Sequence, residues 1–398
     1  MSEWSNYTVG EVAKVFDGPH ATPKKTTKGP WFLSISSLVQ GRLILSESAH
    51  LSEEDFVKWT RRVTPEPGDI LFSYETRLGE AALMPSGVRA CLGRRMGLLR
   101  PNRSLVDPQF LLYSYLAPAF QGTIAARRVH GATVDRIPLV DLPTWPLLLP
   151  EVSEQKTIVA VLGALDDKIA VNERIAATTR ELSMNLFFQA VQGDDLVEVE
   201  VSSVATSLTR GVAPKYSESL DELLVLNQKC IRDGRVNISP ARRTIGSRVT
   251  APKLLQRNDV LINSTGVGTL GRVARWTSDI EATVDSHITI VRFDAGQVDP
   301  VCAGFAILRA QPEIEALGEG STGQTELRRT QVGGLQFSLP SPARQRELRI
   351  KLDSLEERAD HALAESRTLA VLRDTLLPQL MSGRLRVRDA EKIVENHA

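Results

Sequence analysis

The sequence predicts an α+β protein in which two similar domains are separated by two long helices forming an antiparallel coiled coil, with a pseudo-twofold relation between the halves. Three observations predict it. The 398-residue chain repeats itself at a shift of about 190 residues, each copy passes from strand-like runs to helical periodicity, and both helical stretches carry the same 3,4-spaced seam.

The repeat fixes the element order. Gly68-Asp69-Ile70-Leu71 aligns with Asn258-Asp259-Val260-Leu261, and Leu149-Pro150 followed by Gln155 aligns with Leu339-Pro340 followed by Gln345, both at a shift of 190. Between these anchors the shift is 192, matching Leu78-Gly79 with Leu270-Gly271, Asp107-Pro108 with Asp299-Pro300 and Gly131 with Gly323. Residues 1–150 and 196–340 read as short strands broken by turns: Trp31 to Leu38 ends near Gly41, and Asp69 to Ser73 is followed by a loop and then Glu80 to Met84. A mixed α+β globule fits this pattern better than a doubly wound sheet.

Residues 151–195 and 341–398 change to helical periodicity, the second stretch ending in a C-terminal tail. Gly163 and Pro378 interrupt these helices only near their ends. The first seam runs Leu162, Leu165, Ile169, Asn172, Ala176, Thr179, Ser183, Leu186 and Ala190; the second runs Leu352, Leu355, Ala359, Ala362, Ser366, Leu369, Arg373, Leu376 and Leu380, each 190 residues on. Such 3,4 alternation is a coiled-coil seam, and its small and polar centre lets two backbones approach closely. About 40 helical residues span roughly 60 Å. A parallel pair would oblige the second globule to carry the chain that whole distance back, so the seam predicts an antiparallel pair with one globule at each end.

Charge and composition narrow the function. Lys+Arg and Asp+Glu are 48 each, so any anionic partner is met by local patches rather than by net charge, and DNA binding by the chain alone is expected to be weak. The partition is +3 for residues 1–150, −4 for 151–195, 0 for 196–340 and +1 for 341–398. The acidic first helix is therefore not expected to lie along phosphates. Cys91, Cys230 and Cys302 stand far apart with no zinc-like spacing, and read as buried thiols of a reducing compartment. No metal site is expected. With no leader-like start and no long apolar run free of proline, the chain reads as cytoplasmic, neither secreted nor membrane-spanning.

Catalytic machinery is not evident. There is no GxxxxGK[ST], HExxH or GxSxG, and the six histidines (His20, His50, His130, His287, His361, His397) are scattered. Gly266-Val267-Gly268-Thr269-Leu270-Gly271 is a literal GxGxxG, but Arg272-Val273-Ala274-Arg275-Trp276 after it alternates like a strand. A dinucleotide site needs a helix N-terminus there, so a strand-to-strand loop is the better reading. The turn-rich parts are instead rich in basic and amide side chains. In the first, Lys24, Lys25, Thr26, Thr27, Tyr74, Arg77, Arg94, Arg127, Arg128 and His130 are candidate DNA-binding residues. In the second they are Arg210, Lys215, Asn227, Gln228, Lys229, Arg242, Arg243, Thr265, Arg328 and Arg329. Arg reads guanine bidentately, Asn and Gln read adenine, and Lys or Thr holds phosphate. Two similar modules held apart suit a duplex, whose equivalent faces recur about every 34 Å.

Leu149-Pro150-Glu151 with Glu154-Gln155-Lys156 opening a long helix, repeated as Leu339-Pro340 with Arg344-Gln345-Arg346, resembles the specificity subunit of type I restriction-modification systems. The Gly68–Leu71 strand with its Asn258–Leu261 copy, and the ending Gln379 to Arg384 matching Gln189 to Asp194, are similar to the same family over essentially the whole chain. Arg344 in place of Glu154 is a departure. The resemblance implies a non-catalytic reader of a bipartite target in double-stranded DNA, with residues 1–150 and 196–340 as target-recognition domains and the helices as spacers. It implies docking of two methyltransferase subunits, with Glu154, Gln155 and Gln345 as candidate partner contacts, and of restriction (motor-nuclease) subunits. S-adenosylmethionine, ATP and Mg are then expected on the partners, with no cofactor on this chain. The rival readings are a coiled-coil protein-interaction adaptor without DNA specificity, and an enzyme built on the glycine loop.

Overall fold

The strand-like runs of both repeats build the same sheet. A computed structural model describes residues 4–131, 134–193, 195–318 and 326–396; Gly323 of the repeat, Asp194 at the end of the first copy and His397 lie outside the described residues. The chain divides into two compact units, Met1–Val171 with Glu365–Ala398, and Asn172–Ala364.

In the first unit a four-stranded antiparallel sheet has the order Ala13–Asp17, Met96–Pro101, Ile70–Ser73, Ala81–Leu83. The second unit repeats it as Ala205–Arg210, Ile288–Phe293, Val260–Asn263, Val273–Arg275. Each unit adds a second sheet with one parallel pairing, three-stranded in the first, where Trp31 lies beside Ala90, and four-stranded in the second, where Leu224 lies beside Ala282. Each also pairs the strand that enters the globule with the one that leaves it: Ser5–Thr8 with Pro146–Leu149, and Leu196–Glu200 with Gln336–Pro340. Both four-stranded main sheets are antiparallel throughout, with no helical crossover between parallel neighbours, so the predicted α+β class holds.

The repeated motifs are structural fasteners. Gly68 and Asn258 both take a positive φ, 92° and 74°, where glycine is free of strain and asparagine is the best-tolerated substitute. The next residue is a buried aspartate that receives an arginine fork from the neighbouring strand. Arg100 Nε and Nη2 donate to Asp69 at 3.0 and 2.8 Å, and Arg292 Nε and Nη2 donate to Asp259 at 2.8 and 2.6 Å. Burial pushes the Asp259 carboxyl above its ordinary range, and the Arg292 fork pulls it back. The Asp-Pro pairs open helices Pro108–Leu116 and Pro300–Arg309: Asp107 accepts from Gln109 and Phe110 N–H, Asp299 from Val301 and Cys302 N–H.

The long helices are Val152–Ala190 and Pro342–Leu380. Within the first unit Asp166 pairs with Arg373 and Lys168 with Glu365, so one helix descends as the other rises. Within the second, Phe187 and Ala190 near the end of the first helix share a core with Leu348 and Leu352 near the start of the second. Both units therefore show antiparallel pairing, and every seam residue named above is buried or half-buried. Thr179 and Ser183 turn their hydroxyls onto the carbonyls of Ile175 and Thr179, which satisfies polar groups on a buried face. The helix Val387–Glu395 packs Ala390 into the first unit's core.

The globules grip the helices differently. In the first unit Tyr113 Oη donates to Asp166 at 2.7 Å, and Arg373 Nη1 donates to the other oxygen of the same carboxylate at 2.8 Å. Burial first, and then the Asp166 charge, push the Tyr113 phenol up. In the second unit Arg275, 3% exposed, donates to Glu356 and to Asn258, and Arg235 pairs with Asp360 at 2.9 Å. Burial raises Glu356 against the pull of Arg275 and Arg235. The three cysteines are free and buried, which pushes Cys91 up to about 12 and Cys230 up to about 11. Among the described residues no helix is long and apolar enough to cross a membrane.

Candidate nucleic-acid interface

In the second unit the structure gathers candidates from three distant stretches. Arg210 ends a sheet strand, and its Nη2 donates to Leu327 O at 2.8 Å and pairs with Glu326 at 2.8 Å. These contacts place it in an open hollow lined by Thr209, Arg210, Lys253, Glu326, Arg328, Arg329 and Thr330. Glu326 also forms a β-bridge with Thr265, so the hollow adjoins the glycine loop. Gln228 Nε2 donates to Thr265 Oγ1 at 2.8 Å and to the Thr265 carbonyl, and His287 Nδ1 shares a hydrogen bond with the same hydroxyl at 2.8 Å. Beneath the loop, burial holds the Asp285 carboxyl above its ordinary range while the His287 backbone N–H draws it down. The result is a pair of exposed guanidinium groups, Arg328 and Arg329, beside half-buried Arg210, Lys253 and Gln228, with Lys253 Nζ donating to Gly211 O at 2.8 Å, next to a loop whose floor is already hydrogen-bonded. Such a surface offers charge to phosphates and donors and acceptors to base edges.

In the first unit the corresponding loop meets a different group. Thr76, Arg77 and Gly79 occupy the positions of Gly268, Thr269 and Gly271, and Thr76 takes φ 68° where Gly268 takes 72°. A β-branched residue in that region is strained. Arg95, itself at φ 69°, donates to Thr76 Oγ1 at 3.2 Å and pairs with Glu75 at 3.0 Å. Glu75 bridges Arg136, which bridges Val129, so the segment carrying Arg127, Arg128 and His130 is linked to this loop through Arg136, while Arg94 adjoins Arg95 in the chain. Carboxylates already face several of these cations: Arg77 pairs with Glu80, and Arg128 and His130 with Asp135.

The family model of the type I restriction modification DNA specificity domain matches residues 1–178, the first repeat and the start of its helix. The second repeat reproduces the four-stranded main sheet of that unit strand for strand. Over residues 1–178 the chain is similar to the type I restriction-modification specificity family. It is 21% identical to the type I restriction enzyme MjaX specificity subunit of Methanocaldococcus jannaschii, over 97% of this chain and 94% of the relative. It is 22% identical to the type I restriction enzyme StySPI specificity subunit of Salmonella potsdam, over 83% and 77%. The fold matches the crystal structure of the type I restriction-modification S subunit from M. genitalium with a TM-score of 0.60 at 16% identity, covering 95% and 96% of the two chains. These likenesses favour a DNA-specificity reading over the adaptor, and the strand Val273–Arg275 that follows the glycine loop, where a dinucleotide site needs a helix, removes the basis of the enzyme reading.

The geometry corrects several residue expectations. Gln155 and Gln345 are buried. The Gln155 amide accepts from Asp107 N–H at 2.9 Å and donates to Leu105 O and Pro150 O; Gln345 accepts from Asp299 N–H at 2.9 Å and donates to Pro340 O. Both tie a long helix to its own globule, so neither amide is available to a partner. Glu154 is half-buried. Tyr74 is also buried, and burial pushes its phenol up, so its side chain is part of the core rather than of a DNA surface. Asn227 caps a short turn at Lys229 N–H and donates to Pro240 O at 2.6 Å, a local fastening. Lys24, Lys25, Thr26 and Thr27 are exposed where the chain enters the strand Thr26–Phe32, away from the Thr76 cluster. Arg242 stacks on Tyr216 with 3.4 Å to the ring centroid, Arg243 donates to Glu222 O, and Lys215 is exposed beside them. Lys253 and His287 were not singled out in the sequence, because nothing local distinguishes either; the fold alone brings them to the hollow and to Thr265.

Proposed function

We propose that residues 1–150 and 196–340 are two target-recognition domains, each reading one half of a bipartite sequence in double-stranded DNA, while residues 151–195 and 341–398 space them. The observation that carries this reading is the repeat itself: one scaffold occurs twice, with loops of different chemistry between the same two strands. A single continuous target needs no second copy, and two identical half-targets would not need different loops. The exposed members of the two loop clusters, together with Lys253 and His287, are the proposed DNA contacts. Two methyltransferase subunits dock on the helical part, carrying S-adenosylmethionine, and restriction subunits join with ATP and Mg. The complex works in the cytoplasm.

The test is selection from random duplexes by the complex reconstituted from this chain and its partner subunits. The expected product is two short specified blocks with a fixed unspecified gap, and affinity that falls steeply with salt. One continuous motif would overturn the proposal.

A further inference from the structure

The glycine loop leaves one residue that neither the scaffold nor the hydrogen-bonded floor uses. Its base is immobilised. Asn263 is buried and its Nδ2 donates to Gln228 O and Thr269 O, both at 3.1 Å; Ser264 Oγ meets Thr289 Oγ1; Gly271 N donates to Asn263 O at 2.8 Å. Leu270 N donates to Gly266 O at 2.9 Å, and Arg272 Nη2 to Gly268 O at 2.7 Å, closing the turn from inside. Gly266 and Gly271 take φ of 106° and 78°, and a Cβ on either would press into Gln228 and Thr269, or into Glu315. Between them stands Val267, 98% exposed, the most exposed large apolar side chain among the described residues. A lone exposed valine is ordinary. This one is presented at the crest of a rigid turn, flanked by Gln228, Thr265 and His287 and next to the basic hollow.

We infer that Val267 is a base-reading side chain of the second domain, whose isopropyl group meets the 5-methyl group of a thymine in the major groove. This deepens the DNA-reading assignment and rests on it. The donors and phosphate-binding groups around the loop supply orientation, but none of them senses a methyl group. That methyl is the apolar feature of a base edge in the major groove, and apolar side chains are what recognise it. A crest fixed from below loses little freedom on contact, so the discrimination it gives is retained. The first domain holds Glu75 at the equivalent place, pinned by Arg95, so the two loops read different chemistry from one frame.

The experiment uses the full complex with wild-type chain, Val267→Ser and Val267→Gly, selecting from randomised duplexes and then binding the selected duplex with one thymine at a time replaced by deoxyuridine. The expected result is a roughly tenfold loss of thymine preference at one position of one half-target in both variants. The other half-target is unchanged, and deoxyuridine at that position reproduces the loss with the wild-type chain but adds nothing with the variants. Unchanged base preference in both variants, an even loss at every position, or a half-target without a preferred thymine would each overturn the inference while leaving a bipartite target intact. A wild-type complex that selects no bipartite target would instead overturn the reading it rests on.

Discussion

The two units share their scaffold and differ in their grip and their loops. Both use an arginine fork on a buried aspartate, an Asp-Pro helix start, and a buried glutamine tying that start to a long helix. The first globule then holds its helices through Tyr113, Asp166 and Arg373, the second through Arg275 with Glu356 and Arg235 with Asp360. The difference teaches where a duplicated module is constrained. Groups buried on every side are kept by packing and hydrogen bonding, whereas a contact to a helix surface has several chemical solutions and a loop crest has many.

The largest expected effect breaks the grip of the second unit. Glu356→Leu leaves Arg275 buried without its partner, and such losses cost about 3–5 kcal/mol. Urea unfolding followed at Trp276, the second unit's tryptophan, should show it, and Arg275→Leu with Glu356→Leu should recover most of the loss. Asp166→Leu in the first unit should cost less, about 1–3 kcal/mol, because Arg373 keeps Asp374. Next come the shared fasteners. Gln155→Leu and Gln345→Leu each strand one buried N–H and one or more carbonyls, and both should cost about 2–3 kcal/mol by the same assay. Unequal costs would show that the repeat has drifted beneath its topology.

Smaller effects sharpen the comparison at the loops. Lys253→Ala and Arg328→Ala should each lower the salt dependence of DNA binding by about one counterion in a titration of the complex. Gly268→Ala should destabilise by about 1 kcal/mol, since it forces a side chain into the positive φ that Thr76 already bears, and Thr76→Gly should relieve strain of similar size in thermal melts. The thiols give the pH test. Burial raises Cys91 to about 12 and Cys230 to about 11, and raises Cys302 as well. A raised folded value means stability is intact below the unfolded thiol pKa, about 8.5, and is lost as pH climbs from there. The second unit, with two such thiols, should weaken more between pH 8 and 9.5 in calorimetry, before the buried phenols of Tyr74, Tyr113 and Tyr115 add their own loss to the first unit, and native alkylation at pH 8 should be slow for all three.

Much of the fold was legible because it rests on period and repetition. The seam residues from Leu162 to Ala190 and from Leu352 to Leu380 are buried or half-buried as their spacing requires, and Asp107-Pro108 and Asp299-Pro300 do start helices. The site was less legible. A glutamine in the first turn of a helix reads as a surface group, and Gln155 and Gln345 are inside because backbone groups meet their amides there: the Leu105 and Pro150 carbonyls at Gln155, the Asp299 N–H and Pro340 carbonyl at Gln345. Tyr74 sits among polar loop residues in sequence yet turns inward. Lys253 and His287 reach the interface through chain crossings that no local pattern encodes.

The most direct measurement replaces residues 196–340 with a second copy of residues 1–150 and determines, in the reconstituted complex, the sequence selected from random duplexes. If the repeats are equivalent readers, the selected target carries the same specified block twice. Recovery of the original pair of different blocks, or of a single uninterrupted motif, would contradict it.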